Sequence, residues 1–309
     1  MAGFGFANYS KPGKGIDKNG PEKKPFFLYW EVYFRKFWKL IQLNLLFLLF
    51  MAVFMVLPLV YTVCTSIKPL NEISAMPAKW IPSEINVQYY INIFTKHPFA
   101  RYMLNSAIVA ISATVLSLLI GASAAYALAR LRFRFKKPLL MFILCISMFP
   151  TIATLSPIYL LLRSLKLLNT YQGLVLPYIV FALPTSIWLL TNFFSNLPKG
   201  FEEAASIDGA SWADVFFRIM LPLIAPAIFS VGLLVFINCW NEYLYALSFM
   251  TDPNMRTVPV GIALLPSNYQ LPWGDISAAS VVATVPLIVL VLIFQKKIVA
   301  GLTSGGIKE

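Results

Sequence analysis

Two groups of residues in this chain have types and spacings that could do chemistry, and in both the chemistry is recognition rather than bond-making. The first is a polar island, residues 196–222, set between long apolar stretches. It holds the acids Glu202, Glu203, Asp208 and Asp214, the bases Lys199 and Arg218, and the small residues Ala204, Ala205, Gly209 and Ala210. Acidic groups on a backbone that small side chains leave approachable suit the docking of a second, basic protein. The second group is Asn238, Asn241, Glu242 and Tyr245, spaced i, i+3, i+4, i+7 and so expected on one helical face. Amides, a carboxylate and a phenol on one stripe can hydrogen-bond a polar solute or a partner. Trp188 and Asn192, four apart, are weaker candidates for the same lining.

Catalytic and metal chemistry find little support. The single histidine, His97, precedes Pro98 in a polar stretch, so no zinc site or histidine-based triad is expected. Cys64, Cys145 and Cys239 lie in or beside apolar runs without metal-ligand spacing. No G-x-x-x-x-G-K-[ST] occurs, so the chain lacks the usual phosphate-cradling loop.

The elements that must position these residues are set by composition. Of 309 residues, 59% are hydrophobic and only 12% charged, whereas a soluble domain carries about a quarter charged. An all-α integral membrane protein is expected. Apolar runs of about 20 residues suit membrane helices, and six are expected, at 40–64, 103–129, 138–162, 171–194, 223–247 and 277–295. With both termini in the cytosol, 18 of the 25 Lys and Arg fall on the inner side and 7 on the outer, the positive-inside asymmetry. The net charge of +12 therefore faces lipid headgroups rather than nucleic acid. Residues 1–39 read as a basic cytosolic tail followed from Phe26 by an interfacial amphipathic helix, and 40–309 as the transmembrane domain.

Small residues at Ala113, Ser117, Gly121, Ala125 and Ala129, each four apart, form a stripe against which another helix can pack closely. Pro58, Pro150, Pro157, Pro177, Pro184 and Pro286 interrupt the apolar runs, freeing carbonyls that protein or a wet cavity must satisfy. In the island, Asn196 is expected to cap a helix that ends at Asp208–Gly209. Ser211 then caps a second helix, with Asp214 reaching back as in a capping box.

The pattern Glu203-Ala204-Ala205, Gly209, Ile219 and Leu221-Pro222 resembles, without a gap, the EAA loop of ABC-importer permeases. Further pieces resemble the carbohydrate branch and its maltose-type second transmembrane subunit. They are Leu104-Asn105-Ser106, Ala124 through Arg130, Trp240-Asn241-Glu242-Tyr243, Thr257 through Gly261, and Gly301 through Gly306. The resemblance covers about residues 40–309 and implies the type I permease fold, with 196–222 as the coupling loop. Its ATPase-coupling residues would be Glu202, Glu203, Ala204, Ala205, Asp208, Gly209, Ala210, Ile219, Leu221 and Pro222. It further implies a second homologous permease subunit, a cytosolic ABC ATPase dimer carrying ATP and Mg, and an extracytoplasmic solute-binding protein. The setting would be the cell membrane of a bacterium or archaeon. The cargo would be a sugar or oligosaccharide, with an amino acid, peptide or phosphodiester as the alternative. The tail from Gln295 to Glu309, rich in glycine, would reach the ATPase as extended chain.

Overall fold

The computed structural model describes residues 26–132, 134–265 and 272–304, and these contain helices and loops but no strand. In chain order the helices are α1 (Phe26–Thr65), α2 (Leu70–Ile73), α3 (Gln88–Thr95), α4 (Phe99–Arg130), α5 (Lys136–Ser147), α6 (Thr151–Ser164) and α7 (Tyr171–Asn196). There follow α8 (Gly200–Ile207), α9 (Trp212–Asp214), a π-helical segment (Val215–Met220), α10 (Leu221–Leu223), α11 (Ala225–Asn241), α12 (Leu244–Phe249), α13 (Val258–Ala263) and α14 (Trp273–Ser304). By its internal contacts the chain divides into two units, residues 1–58 and 59–309. The expected basic tail, 1–25, lies outside the described residues, as do the side chains of the expected interfacial helix.

Among the described residues, four helical stretches are long and apolar enough to cross a membrane: Asn44–Thr65, Phe99–Arg130, Tyr171–Asn196 and Trp273–Gln295. The other two expected spans are bent pairs. α5 and α6 meet at 88°, and Trp212–Leu223 meets α11 at 76°. Proline explains both bends. Pro150 supplies no N–H and begins α6, and Pro222 and Pro226 flank the break at Ile224.

In the second unit, α4 packs along α7 through the small-residue stripe. Ala113, Ser117, Gly121 and Ala125 are buried, and a Cβ on Gly121 would stand 3.1 Å from the Ser186 Cβ. α11 crosses α4 at Gly232, where an added Cβ would meet the Leu118 side chain at 2.9 Å. Asn105, fully buried, donates to the carbonyls of Asn254 and Arg256, both at 2.9 Å, and accepts from the Tyr171 hydroxyl at 2.9 Å. Ser106 accepts from the Val258 amide at 2.8 Å. The Asn-Ser pair thus fastens α4 to the loop entering α13. α14 remains helical through Ser304, which corrects the extended tail expected after Gln295; Gly301 is accommodated inside the helix.

The connection between α1 and α3 is held by one carboxylate. Glu72 accepts from Lys79 Nζ at 2.9 Å, from Ser83 Oγ at 2.6 Å and from the Ser83 amide at 3.1 Å. Buried Lys68 donates to the Lys79 carbonyl and sits 4.8 Å from the centre of the Tyr61 ring. The hydrogen bonds from Ser83 and Lys79 bring the Glu72 carboxyl down from 4.5 to about 2.

Two outcomes are expected. Gly121→Val should overpack the α4–α7 contact and cost about 1–3 kcal/mol, seen as a lower melting temperature in detergent, while the exposed change Ile120→Val should not. A group with a depressed folded pKa stabilises above its unfolded value and loses that contribution as pH falls through the folded one. Protease cleavage between residues 70 and 85 should therefore rise as pH drops from 4.5 toward about 2, and be high throughout that range in Glu72→Gln.

Candidate functional site

The polar island folds as two short helical pieces against the ends of α4 and α7. Asn196 is not a cap: it is the last residue of α7, and α8 begins only at Gly200, with Lys199 at its N-cap position. Buried Phe194 carries α7 to this point, and Pro198 then forces Leu197 into extended backbone with ψ 138°. α8 closes as expected. The amides of Gly209 and Ala210 donate to the carbonyls of Ser206 (3.2 Å) and Ala205 (3.0 Å), and Gly209 takes φ +76°. Ser211 caps the next turn by accepting from the Asp214 amide at 3.2 Å, and its hydroxyl donates to Asp214 Oδ2 at 2.6 Å. This reciprocity differs from a capping box, because Asp214 receives the hydroxyl instead of reaching the Ser211 amide. The Ser211 hydroxyl, followed by Arg218 at 3.1 Å, holds the Asp214 carboxyl below its ordinary value.

The π-helical segment was not legible in the sequence. Its wider turn buries Val215, Phe216 and Met220 and leaves Phe217 and Arg218 outside. Phe216 lies between Tyr126 of α4, ring centres 5.1 Å apart, and Phe194 of α7, 6.4 Å apart. Ala205 belongs to the same buried cluster, and Ala210, Ile219 and Leu221 pack against it. Pro222 remains exposed where the chain turns toward α11.

The expected coupling residues therefore divide. Ala205, Ala210, Ile219 and Leu221 face the helices, while Glu203, Ala204, Asp208 and Gly209 are exposed. A Cβ on Gly209 would meet nothing within 4 Å. Ile207 and Trp212, 87% and 69% exposed, flank this outer face. Their unpaired apolar surface gave no signal in the sequence, where each sits in an unremarkable helical position.

Glu202, expected among the acids that dock a partner, is instead engaged within the chain. Its Oε1 pairs with Arg130 Nε at 2.7 Å, and Arg130, whose side chain is only 5% exposed, also donates to the Leu197 carbonyl at 3.0 Å. Arg130 thus joins the C-terminus of α4, the end of α7 and the first turn of α8. A matched cation and anion at the ends of two helices is the signal that could have revealed it.

The second candidate group is only partly assembled. α11 stops at Asn241, and Glu242 is extended (φ −66°, ψ 129°), so Asn238, Asn241, Glu242 and Tyr245 do not share one continuous helix. The break arises because the Glu242 carboxylate caps α12. Its Oε1 accepts from the Tyr245 amide at 2.8 Å and its Oε2 from the Ala246 amide at 3.1 Å and the Tyr178 hydroxyl at 2.5 Å. Asn238, Glu242 and Tyr245 nevertheless line one cavity of about 450 Å³. Asn241 lies outside it, its amide turned back to the Ile237 carbonyl at 3.0 Å. Trp188 and Asn192 also lie outside, exposed further along α7.

The break between α5 and α6 contributes Phe149 to the cavity, α6 contributes Thr151, and α7 contributes Tyr178, Phe181 and Thr185. The Phe181 and Tyr245 rings stack at 5.3 Å, and the Tyr245 hydroxyl reaches both Thr154 Oγ1 (2.5 Å) and the Thr151 carbonyl (3.1 Å). Val180 and Pro184 also line it, so the carbonyl that Pro184 leaves without its helical partner belongs to a residue of the cavity wall. Aromatic faces, a carboxylate and hydroxyls around such a space suit a hydroxyl-rich solute.

A bundle of apolar, bent helices with a capped surface loop and a polar cavity defines a membrane translocation subunit. Residues 114–304 match the family described as binding-protein-dependent transport system inner membrane component. The sulfoquinovosyl glycerol transport system permease protein SmoH of Agrobacterium fabrum is 41% identical, over 81% of this chain and 88% of its own. The trehalose/maltose transport system permease protein MalG of Thermococcus litoralis is 40% identical, over 84% and 93%. Among solved structures, a bacterial ABC transporter that imports alginate has the same fold, with TM-score 0.72, 23% identity and coverage of 85% and 97%. The chain belongs to this family of inner membrane components: it is a multi-pass cell-membrane protein and a transport permease subunit.

A double-mutant cycle on Arg130→Met and Glu202→Gln, measured by thermal unfolding in detergent, is expected to give a coupling energy of about 1–3 kcal/mol. Arg130→Met should be the costlier single change, because it also removes the donor to the Leu197 carbonyl.

Proposed function

We propose that this chain is one of two homologous permease subunits of an ATP-driven, binding-protein-dependent importer for sugars or oligosaccharides. The observation that carries the coupling role is the outer face of α8 and the Ser211 turn. There Glu203, Ala204, Asp208 and Gly209 stand exposed on an element whose opposite side is fastened to α4 and α7. Such an element moves as one piece with the helices beneath it. The absence of a phosphate-cradling loop in the sequence fits a non-catalytic role, with ATP and Mg held by a cytosolic ATPase dimer. The basic balance of the loops supports cytosolic termini and a cytosolic coupling loop. A related alginate importer is known in complex with a substrate-bound periplasmic protein, and an extracytoplasmic binding protein is proposed here likewise.

A sugar cargo is supported by the names of the relatives, which include the trehalose transport system permease protein SugB of Mycobacterium tuberculosis, 41% identical over 82% of this chain. The Glu242 cavity agrees with it in residue types. Closed by the second permease subunit, it would form part of the translocation path.

Gly209 provides the test. Substitution there strains a left-handed backbone, by about 1–2 kcal/mol, but meets no atom of this chain within 4 Å. Gly209→Ala should therefore retain most sugar uptake in proteoliposomes, whereas Gly209→Trp should reduce uptake by about tenfold or more and weaken co-purification of the ATPase, at unchanged membrane insertion. Equal uptake and equal ATPase recovery in the two variants would remove the docking role.

A further inference from the structure

The basic loop between α4 and α5 meets the start of α8. Arg132 and Arg134 from the loop, Lys136 at the start of α5, and Lys199 from more than sixty residues later surround one depression of about 500 Å³ together with Ala129, Arg130 and Leu131. Two of its cations already have partners. Arg130 is paired with Glu202 at 2.7 Å. Lys136 donates to the Ala129 carbonyl at 3.2 Å, at the C-terminal, negative end of the α4 dipole. Arg132, Arg134 and Lys199 make no ion pair among the described residues. Three exposed cations without an ion pair, drawn around one space by two separate segments, leave a local positive charge that an anion would offset. The depression sits at the end of α4, a helix long and apolar enough to cross a membrane, and therefore at headgroup depth. Arginine forks match a phosphate group in geometry as well as charge.

We propose that this depression binds the phosphate of an anionic phospholipid headgroup, bridging the α4–α5 loop to the first turn of α8. Because Lys199 immediately precedes the turn that Arg130 anchors, a lipid seated there adds a second tether between the membrane surface and the exposed face of α8. The inference rests on the membrane span of α4 and is independent of which solute is carried or which ATPase docks.

The test uses the full chain, purified in its assembly in detergent, titrated with phosphatidylglycerol or with phosphatidylcholine, bound lipid being counted by native mass spectrometry. Phosphatidylglycerol should be retained over phosphatidylcholine, and Arg132→Gln/Arg134→Gln/Lys199→Gln should lower that preference by about ten- to a hundredfold, given roughly tenfold or less per surface cation. Arg163→Gln/Lys166→Gln, in the last turn of α6 and just after it, should leave it unchanged. If the triple variant fails to assemble, Arg132→Gln and Arg134→Gln singly should each remove part of the preference. No preference in the unsubstituted protein would overturn the proposal, as would equal loss in the Arg163/Lys166 variant. Displacement of phosphatidylglycerol by millimolar inorganic phosphate would make this a free-anion site and overturn the lipid assignment.

Discussion

A backbone that crosses lipid has no water to satisfy its amides and carbonyls, so each departure from helix must be matched by a protein group that takes over the lost bond. That constraint organises this chain. At Glu242 the helix stops in an apolar run, and the residue that breaks it also repairs it: two freed amides of α12 bond the Glu242 carboxylate. The charge itself is steadied by the Tyr178 hydroxyl. A carboxylate in this setting is costly unless so engaged. Its engagement explains how a polar cavity can sit among helices that are otherwise nearly free of charge.

Protein groups also hold the surface loop where it leaves the bundle. Its second half runs through the π-helical segment, with Phe216 against both Tyr126 and Phe194 and Arg218 paired with Asp214 four residues earlier. Its first half is fixed by Arg130, which satisfies the carbonyl of Leu197 left free at the end of α7 and neutralises Glu202. Caps, an ion pair and an aromatic cluster therefore act on one short stretch from several directions. A stretch held in this way is packed against α4, α7 and α11 together, which is what the proposed coupling role requires of it.

Much of this was legible because local rules decide it. Gly209 marked a left-handed turn, Ser211 marked a cap, and the four-residue spacing of Ala113, Ser117, Gly121 and Ala125 marked the face that meets α7. What escaped depends on contacts between elements distant in sequence. Asn196 has the chemistry of an N-cap, but α7 packing through Phe194 claimed it first. The stripe Asn238, Asn241, Glu242 and Tyr245 assumed an unbroken helix, and the energy of capping α12 outweighed one more turn of α11. Arg130 reads as a headgroup anchor until α8 is folded beside it, and only then does Glu202 become the nearer partner.

The distribution of charge follows from that competition. Arg130 and Glu202 neutralise each other where the surface loop leaves the bundle, and Asp214 and Arg218 do so on its second turn. Of the four acids in the surface loop, Glu203 and Asp208 make no ion pair, and both are exposed, on α8 and at its C-cap, near Ile207 and Trp212. An outward face that pairs free carboxylates with large exposed apolar side chains combines two kinds of surface that water solvates in opposite ways. Apolar area gains most from burial against another protein, and the unpaired carboxylates favour partners that bring basic groups. The intrachain ion pairs thus do more than hold the loop: by neutralising Glu202 and Asp214, they leave Glu203 and Asp208 as the acids that define its outer face.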